Sequence, residues 1–123
     1  MIHIDYQDAT PIYEQIVNKY KNLIVRGAIK QDEQMPSVRS LAMDLSINPN
    51  TIQKAYTELE RQGYIYSVKG RGNFISAVEG LKDQKEAELI DKLDGILCEA
   101  HDAGVGKEVL EEYIKNWKIG EVL

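Results

Sequence analysis

The sequence predicts a mainly α-helical protein with one small β-hairpin. Three prolines, Pro11, Pro36 and Pro49, each stand where apolar residues begin to recur at helical spacing. Between residues 64 and 76 the pattern changes to short runs of aromatic and β-branched residues around a glycine-containing loop, which is typical of paired strands. Helical spacing returns from residue 77 onward. The 123 residues are enough for one compact domain with an appendage.

The first predicted helix follows Thr10 and Pro11. We expect the Thr10 hydroxyl to cap this helix and Pro11 to occupy its first position, where a missing N–H costs no hydrogen bond. Gly27 is the expected stop. The apolar residues that recur between these limits are Ile12, Ile16, Tyr20, Leu23 and Ile24.

Two further helices are predicted to begin at Pro36-Ser37 and at Asn48-Pro49, and the later one ends near Gly63. Only the turn "SINP" (46–49) separates them, and Ile47 is expected to pack into the core between the two helices. A turn this short sets two helices at a steep angle and pushes the N-terminus of the second one outward. The apolar stripes are Val38, Leu41, Ala42 and Leu45 for the second helix, and Ile52, Ala55, Tyr56 and Leu59 for the third.

A β-hairpin is predicted after the third helix. The segments "YIYSV" (64–68) and "NFIS" (73–76) flank a loop of four residues, "KGRG" (69–72). Three helices, the last two joined by a tight turn and followed by a hairpin, make a winged helix-turn-helix domain. We assign this domain to residues 1–76.

Residues 77–123 form the second predicted part, a tail of two amphipathic helices separated near Gly104 and Gly106. Two such helices cannot bury both apolar stripes by themselves, so they either fold back on the first helix or pair with a second copy of the chain. Symmetric dimers are common and helix-turn-helix proteins read paired half-sites, so we favour dimerisation. The residues assigned to the dimer contact are Leu89, Leu93, Ile96, Leu97, Leu110, Tyr113, Ile114 and Trp117.

The formal net charge of −5 is unevenly distributed and does not exclude a polyanionic partner. Residues 1–76 hold nine Lys or Arg and eight Asp or Glu, a balance of +1, whereas residues 77–123 hold six and twelve, a balance of −6. Binding of nucleic acid depends on local clusters of positive charge rather than on the total.

The predicted recognition surface is the outward face of the third helix. When its apolar stripe faces the core, Asn50, Gln53 and Lys54 face solvent, and asparagine and glutamine amides can form paired hydrogen bonds to an adenine edge. Asn48 is first of all the helix cap. Taken singly, these side chains would more often form a solvated helix face. The full set predicted to bind double-stranded DNA is Ser37, Arg39, Asn48, Asn50, Thr51, Gln53, Lys54, Lys69, Gly70, Arg71 and Gly72.

Other classes of function have less support. The main alternative is an interaction module that binds protein or RNA, because winged helices do both. The residue combinations that would indicate an enzyme do not stand out in this sequence. There is no clear Ser/His/Asp set, phosphate-binding loop or metal cluster, and His101 is isolated. We therefore predict neither a catalytic residue nor a cofactor nor a metal, and the sequence names no small-molecule effector.

The sequence also predicts where the protein acts. No apolar run is long enough to cross a membrane, and the first ten residues carry acids where a secretory signal would carry bases. A single cysteine, Cys98, allows no internal disulfide, and we expect it to be a buried or half-buried apolar residue. We therefore expect a cytoplasmic protein.

The stretch "MPSVRSLAMDLSINPNTIQKAYTELERQGYIYSVKGRGNFIS" (35–76) resembles the DNA-binding signature of the GntR family of bacterial transcription regulators. It contains the PS-x-R-x-LA start, the ELE-x-x-G close of the third helix and the G-x-G-x-F wing at the family's spacing. With the first helix, the resemblance covers residues 8–76. The short helical tail is similar to that of the YtrA-like subfamily, which has two helices where other members have large ligand-binding domains.

The resemblance implies a role for each matched residue. Arg39 and Gln53 would read base edges, and residues 69–72 would lie along the minor groove or the DNA backbone. Many family members have an arginine where this chain has Pro49, so more of the base reading would fall to Arg39 and Gln53. The residues that would hold a phosphate or a base are Ser37, Asn50 and Thr51. The implied function is a dimeric repressor that binds a two-fold operator.

Overall fold

The computed structural model describes residues 2–118 and confirms the predicted fold class. Its two strands form one antiparallel hairpin, and the rest of the regular structure is helical. The chain divides into two compact units, one ending at Lys82 and the other beginning at Asp83. The helices and strands in chain order are α1 (Ile12–Val25), α2 (Val38–Leu45), α3 (Pro49–Arg61), β1 (Ile65–Val68), β2 (Gly72–Ile75), α4 (Leu81–Asp102) and α5 (Lys107–Lys115).

The core of the first unit is made by the stripes that the sequence predicts. From α1, Ile16, Tyr20 and Ile24 are fully buried, and Ile47 in the turn before α3 packs against the same core. Burying a side chain of this size stabilises a fold by roughly 1.5–3 kcal/mol, so these stripes hold the helices together. The whole stripe of α3 is buried, namely Ile52, Ala55, Tyr56 and Leu59.

The predicted cap of α3 is present, and α2 has a cap that was not predicted. Asn48 caps α3, where its Oδ1 atom accepts a hydrogen bond of 2.8 Å from the backbone N–H of Asn50, and Pro49 is the first helical residue. Ser37 caps α2 by accepting a bond of 3.0 Å from the N–H of Ser40. These bonds satisfy N–H groups that have no partner inside their own helix.

The predicted cap of α1 is wrong. Pro11 has an extended ψ of 146° and occupies the capping position itself, without a side-chain hydrogen bond, so Thr10 lies outside the helix. The reason is the buried side chain of Gln15. Its amide donates to the carbonyl of Thr10 at 3.0 Å and exchanges two bonds of 2.9 Å with the backbone of Asp5. This pairing folds the N-terminal segment over the start of α1.

The loop of the hairpin is one residue shorter than predicted. Gly72 pairs with Val68 and belongs to β2, so the loop is 69–71 rather than 69–72. The N–H of Arg71 donates to the carbonyl of Val68 at 2.9 Å, and Gly70 has a φ of +79°. A positive φ in such a turn favours glycine, because a side chain there would be strained.

A segment between α1 and α2 pairs with β2, which the sequence reasoning missed. The N–H of Met35 donates to the carbonyl of Asn73 at 2.8 Å, and the N–H of Ile75 donates to the carbonyl of Glu33 at 2.9 Å. The segment "KQDEQM" (30–35) is polar and has no alternating pattern, so nothing in it predicts a strand. Its pairing is made by backbone groups and depends on where α1 and the hairpin place it.

The two tail helices are present, and α4 begins inside the first unit, where Leu81 is buried and Val78 packs against the core. Beyond Asp83, most of the large apolar side chains are exposed, and Leu110 is half-buried. Within residues 2–118, no helix is both long and apolar enough to cross a membrane. The exposed apolar residues of the tail include Leu89, Ile90, Leu93, Ile96, Leu97, Val109, Tyr113, Ile114 and Trp117.

Cys98 is exposed, so the prediction of a buried or half-buried thiol is wrong for the single chain. It lies in a stretch of α4, residues 89–99, in which every residue is exposed. Leu97 beside it is exposed as well, so the apolar side of this stretch is uncovered in the single chain.

The cap of α3 generates the first prediction. Asn48→Ala should lower the free energy of unfolding by about 1 kcal/mol, because the N–H of Asn50 loses its acceptor. Asn50→Ala is the matched control: that side chain is exposed and only its backbone takes part in the cap, so the free energy of unfolding should stay within about 0.5 kcal/mol of wild type. Denaturant unfolding of both variants at one protein concentration measures the difference. Equal losses in the two variants would mean that the cap is misassigned.

Candidate nucleic-acid interface

The outward face of α3 is polar, as predicted. Asn50, Gln53, Lys54 and Thr57 are exposed, while Thr51 is half-buried. The face opposite to them is the buried stripe of this helix. A helix with one face fixed in the core and amides on the other presents those amides from a rigid support, which base reading requires.

The side chain of Gln53 is held by a neighbour one turn later in α3. Its Nε2 atom donates to the hydroxyl of Thr57 at 3.2 Å. One N–H and the carbonyl oxygen of the amide remain for a partner outside the protein, and this pair matches the donor and acceptor that an adenine edge offers. The sequence reasoning did not predict this contact between Gln53 and Thr57.

Lys54 has a partner on α1 that the sequence reasoning missed. Its ammonium lies 4.0 Å from the centre of the Tyr13 ring, a distance at which a cation is attracted to the face of the ring. Tyr13 is half-buried and packs against the core, so it is a fixed support for the charge. Only the packing of α1 against α3 brings the two residues together, and no spacing in the sequence indicates it.

Ser37 and Arg39, the predicted DNA-binding residues at the start of α2, differ in the hydrogen-bonding groups that they have available for DNA. The Ser37 hydroxyl accepts the cap bond described above and keeps its own proton for another acceptor. Arg39 is exposed in the first turn of α2. Its guanidinium has the donor geometry that binds the two acceptors of guanine or two phosphate oxygens.

The wing, which is the hairpin of β1 and β2 with its loop 69–71, carries two cations at its tip. Lys69 and Arg71 are exposed, and the glycines at positions 70 and 72 between and beside them leave the backbone uncovered. The carbonyl of Arg71 accepts a hydrogen bond of 2.8 Å from the Nε2 atom of Gln34. Gln34 lies in the paired segment before α2, and the sequence reasoning did not include it in the interface.

Near the end of α3, a carboxylate is neutralised within the protein. Glu58 accepts hydrogen bonds from the guanidinium of Arg61, at 2.8 Å from Nε, and from the amide of Gln62 at 2.6 Å. The bonds from Arg61 first, and from Gln62 second, lower the pKa of Glu58 to about 2. Glu58 is therefore ionised at neutral pH, but its charge is offset by Arg61, which reduces its repulsion of a phosphate backbone.

The elements of the interface are connected through the core. Tyr56 of α3 donates a hydrogen bond of 2.7 Å to the carbonyl of Pro36, the residue before Ser37. Gln34, two residues earlier, contacts the wing.

Among residues 2–118 there is no group of three or more His, Cys, Asp or Glu that could hold a metal ion. The arrangement offers hydrogen-bonding amides and cations, which suit a polyanion with readable base edges.

Three packed helices, a buried stripe on the third helix and a hairpin after it define a winged helix-turn-helix. A polar outer face on that third helix, with cations on the adjoining hairpin, is typical of the members of this class that bind double-stranded DNA.

Comparison with known proteins then identifies the family. Residues 12–75 match the family described as "Bacterial regulatory proteins, gntR family". The HTH-type transcriptional repressor YtrA of Bacillus subtilis (strain 168) is 45% identical over 117 residues, which cover 94% of this chain and 90% of that protein. The chain belongs to the GntR family and is a DNA-binding transcription regulator.

Two solved structures are similar in fold as well as in sequence. A GntR family transcriptional regulator from Listeria monocytogenes has a TM-score of 0.76 and 35% identity, covering 90% of this chain and 98% of that one. The structure described as AraR(DBD) in complex with operator ORE1 has a TM-score of 0.53 and 29% identity, covering 62% of this chain and 93% of that one. The first similarity covers more of this chain than residues 1–76, so it extends into the tail.

Proposed function

We propose that this regulator is a repressor that binds a two-fold DNA operator as a homodimer, with α3 in the major groove and the wing on the DNA backbone or in the minor groove. The observation that carries the proposal is the exposed face of α3, where Asn50, Gln53 and Lys54 project from a helix whose other face is buried. The B. subtilis relative is named a repressor, and the AraR domain is described in complex with its operator.

Within this proposal, two side chains read bases. Gln53 offers the paired donor and acceptor that fit adenine, and Arg39 offers the paired donors that fit guanine. The family resemblance implies that many members have an arginine where this chain has Pro49, and a proline has no side-chain donor. Base reading therefore rests on Arg39 and Gln53 rather than on the first residue of α3.

The remaining predicted residues are proposed to hold the DNA backbone. Lys54, Lys69 and Arg71 are exposed cations, and contacts of this kind supply affinity without sequence preference. The first N–H groups of α3 carry a partial positive charge that suits a phosphate oxygen. Further polar groups proposed to contact phosphate or base are Ser37, Asn48, Asn50 and Thr51, together with the backbone of Gly70 and Gly72.

The tail is proposed to hold two copies together. Leu93 and Ile96 are 39% and 60% exposed on α4, and Tyr113 and Trp117 are 69% and 59% exposed in the second tail segment. Isolated apolar residues on a surface are ordinary, but two amphipathic helices whose stripes are both uncovered are typical of an interface. A single winged module offers roughly 600–1,000 Å² to DNA, so joining two of them strengthens binding through effective concentration.

The place of action is also part of the proposal. The relatives are transcription regulators, so we propose that the protein acts on chromosomal DNA in the cytoplasm. The groups that the interface offers are amides and cations suited to binding, and no catalytic role is proposed for any residue.

Selection from a random-sequence duplex library tests the proposed function directly. The full-length protein should enrich an inverted repeat whose half-sites lie about 10 bp apart, or a multiple of that distance, because two α3 helices related by a two-fold axis enter successive major grooves. Sequencing of the bound fraction measures this. An interaction module for protein or RNA would enrich no motif, and that result would overturn the proposal.

A second prediction concerns direct readout of the selected motif. Arg39→Ala and Gln53→Ala should each weaken binding to the selected duplex by about 1–3 kcal/mol while changing binding to a scrambled duplex much less. Lys69→Ala is the matched comparison, because a phosphate contact should weaken both duplexes alike. Titration of each variant against the two duplexes gives the ratio of affinities. An equal loss on both duplexes for all three variants would rule out readout by Arg39 and Gln53.

Removing the tail should weaken DNA binding without unfolding the first unit. Ending the chain after Lys82 should leave a folded monomer, because Leu81 completes the core of the first unit. This monomer should bind the selected duplex about 10²- to 10⁴-fold more weakly than the full chain. Leu93→Asp in the full chain should act in the same way, because an acid in an apolar contact costs desolvation energy.

Gln84→Asp is the control for the added acid, since Gln84 lies roughly two and a half turns from Leu93 and therefore on the opposite face of α4. Sedimentation at micromolar concentration should find a dimer for wild type and for Gln84→Asp, and a monomer for Leu93→Asp. A monomeric wild type with tight binding to the selected duplex would contradict the dimer.

A further inference from the structure

We propose that Gln34 is a positioning residue for the wing, which it holds in the orientation that DNA binding needs. The inference rests on the proposed contact of the wing with DNA. Gln34 lies before α2, far from the wing in sequence, yet its Nε2 atom donates a hydrogen bond of 2.8 Å to the carbonyl of Arg71. That carbonyl belongs to the last residue of the loop that carries Lys69 and Arg71.

The backbone around Gln34 is itself tied to β2. Gln34 forms an isolated bridge with Phe74. The carbonyl of its neighbour Glu33 accepts a hydrogen bond from the N–H of Ile75, and the N–H of its neighbour Met35 donates to the carbonyl of Asn73. The side chain therefore starts from a fixed position beside the hairpin. A hydrogen bond donated by a fixed side chain restricts the loop more than one donated by a mobile side chain. The fixed donor has little conformational freedom left to lose when the bond forms.

Gly72 makes room for this contact. A Cβ atom on Gly72 would lie 3.0 Å from the Nε2 atom of Gln34, and the φ of Gly72 is +119°, a value that favours glycine. A second bond restrains the other strand, where the Tyr66 hydroxyl donates to Oδ1 of Asp32 at 2.8 Å. Two side-chain bonds thus tie the segment 32–35 to the hairpin in addition to the backbone bonds, and the bond from Gln34 is the one that reaches the tip.

The consequence for DNA binding follows from where the bond ends. With the Arg71 carbonyl fixed, the side chains of Arg71 and Lys69 project from a restrained loop toward the phosphates. Residues Pro36 and Ser37 follow Gln34 closely, and Tyr56 of α3 contacts Pro36. Gln34 therefore sets the wing relative to the start of α2 and to α3, so that one rigid unit meets the DNA instead of a helix with a loose loop.

The experiment replaces Gln34 by a side chain of similar length that cannot donate a hydrogen bond. Gln34→Met in the full-length protein should weaken binding to a mixed-sequence duplex at low salt by about three- to tenfold, the value of one net hydrogen bond. Gln31→Met is the matched control, an exposed glutamine three residues earlier, and should stay within about twofold of wild type. Thermal melts of each variant check that the fold is kept.

A second background separates positioning from direct contact. When Lys69 and Arg71 are both replaced by alanine, Gln34→Met should lose most of its effect on the dissociation constant, because the charges that Gln34 positions are gone and only the backbone contacts of Gly70 and Gly72 remain. A loss of undiminished size in this background would overturn the proposal, since Gln34 would then be touching DNA itself or supporting the fold. An unchanged affinity for Gln34→Met in the wild-type background would also overturn it.

A measurement without DNA distinguishes failure of this inference from failure of the proposed function. The NMR order parameters of the backbone amides of 69–72 should fall in Gln34→Met and not in Gln31→Met. If wild type did not bind the duplex but the order parameters fell as expected, the wing restraint would stand and the DNA contact of the wing would be wrong. If the order parameters did not change, the restraint itself would be wrong.

Discussion

The rest of the structure depends on the burial of Tyr56. This residue of α3 is 1% exposed, its ring packs edge-on against Tyr20 of α1 at a centroid distance of 6.4 Å, and its hydroxyl donates to the carbonyl of Pro36. One side chain thus fixes α3 against α1 and against the start of α2. Burial raises the pKa of Tyr56 above its usual value, so the hydroxyl keeps its proton and remains a donor at neutral pH.

This constraint gives the proposed DNA-binding face of α3 a rigid support. With Tyr56 and the rest of its stripe fixed in the core, the position of Gln53 and Lys54 on the opposite face of α3 is determined by helix geometry. Local contacts then orient each side chain: Thr57 holds the amide of Gln53, and Tyr13 holds the ammonium of Lys54. Preorganised groups of this kind lose less conformational freedom on binding, which favours specificity.

Charge differs between residues 1–76 and the tail in a way that agrees with their proposed tasks. The residues up to Ser76 carry a small positive balance, while the acids of the chain are concentrated in the tail. Acids there would repel DNA from the tail and leave the face of α3 and the wing as the favourable approach. The apolar residues of α4 and α5 are exposed among those acids, as the proposed dimer requires.

The sequence by itself determined the helices, the hairpin and the outward face of α3, because periodicity and cap residues are local signals. The stripe of α3 and the cap at Asn48 follow from residues that are neighbours in the chain, and both are present. The motif in residues 35–76 likewise indicated the family, because its elements stand at fixed spacings within one continuous stretch.

Only the tertiary structure decided the contacts between distant residues. Gln15 folds the N-terminal segment over α1 and displaces the predicted cap at Thr10. Tyr13 meets Lys54, and Gln34 meets Arg71, across large separations in the chain. No local pattern encodes these pairs, because each depends on how α1, α3 and the hairpin pack. The physical reason is that each of these residue types can pair with many others. Only the packing of the helices and the hairpin decides which pair forms.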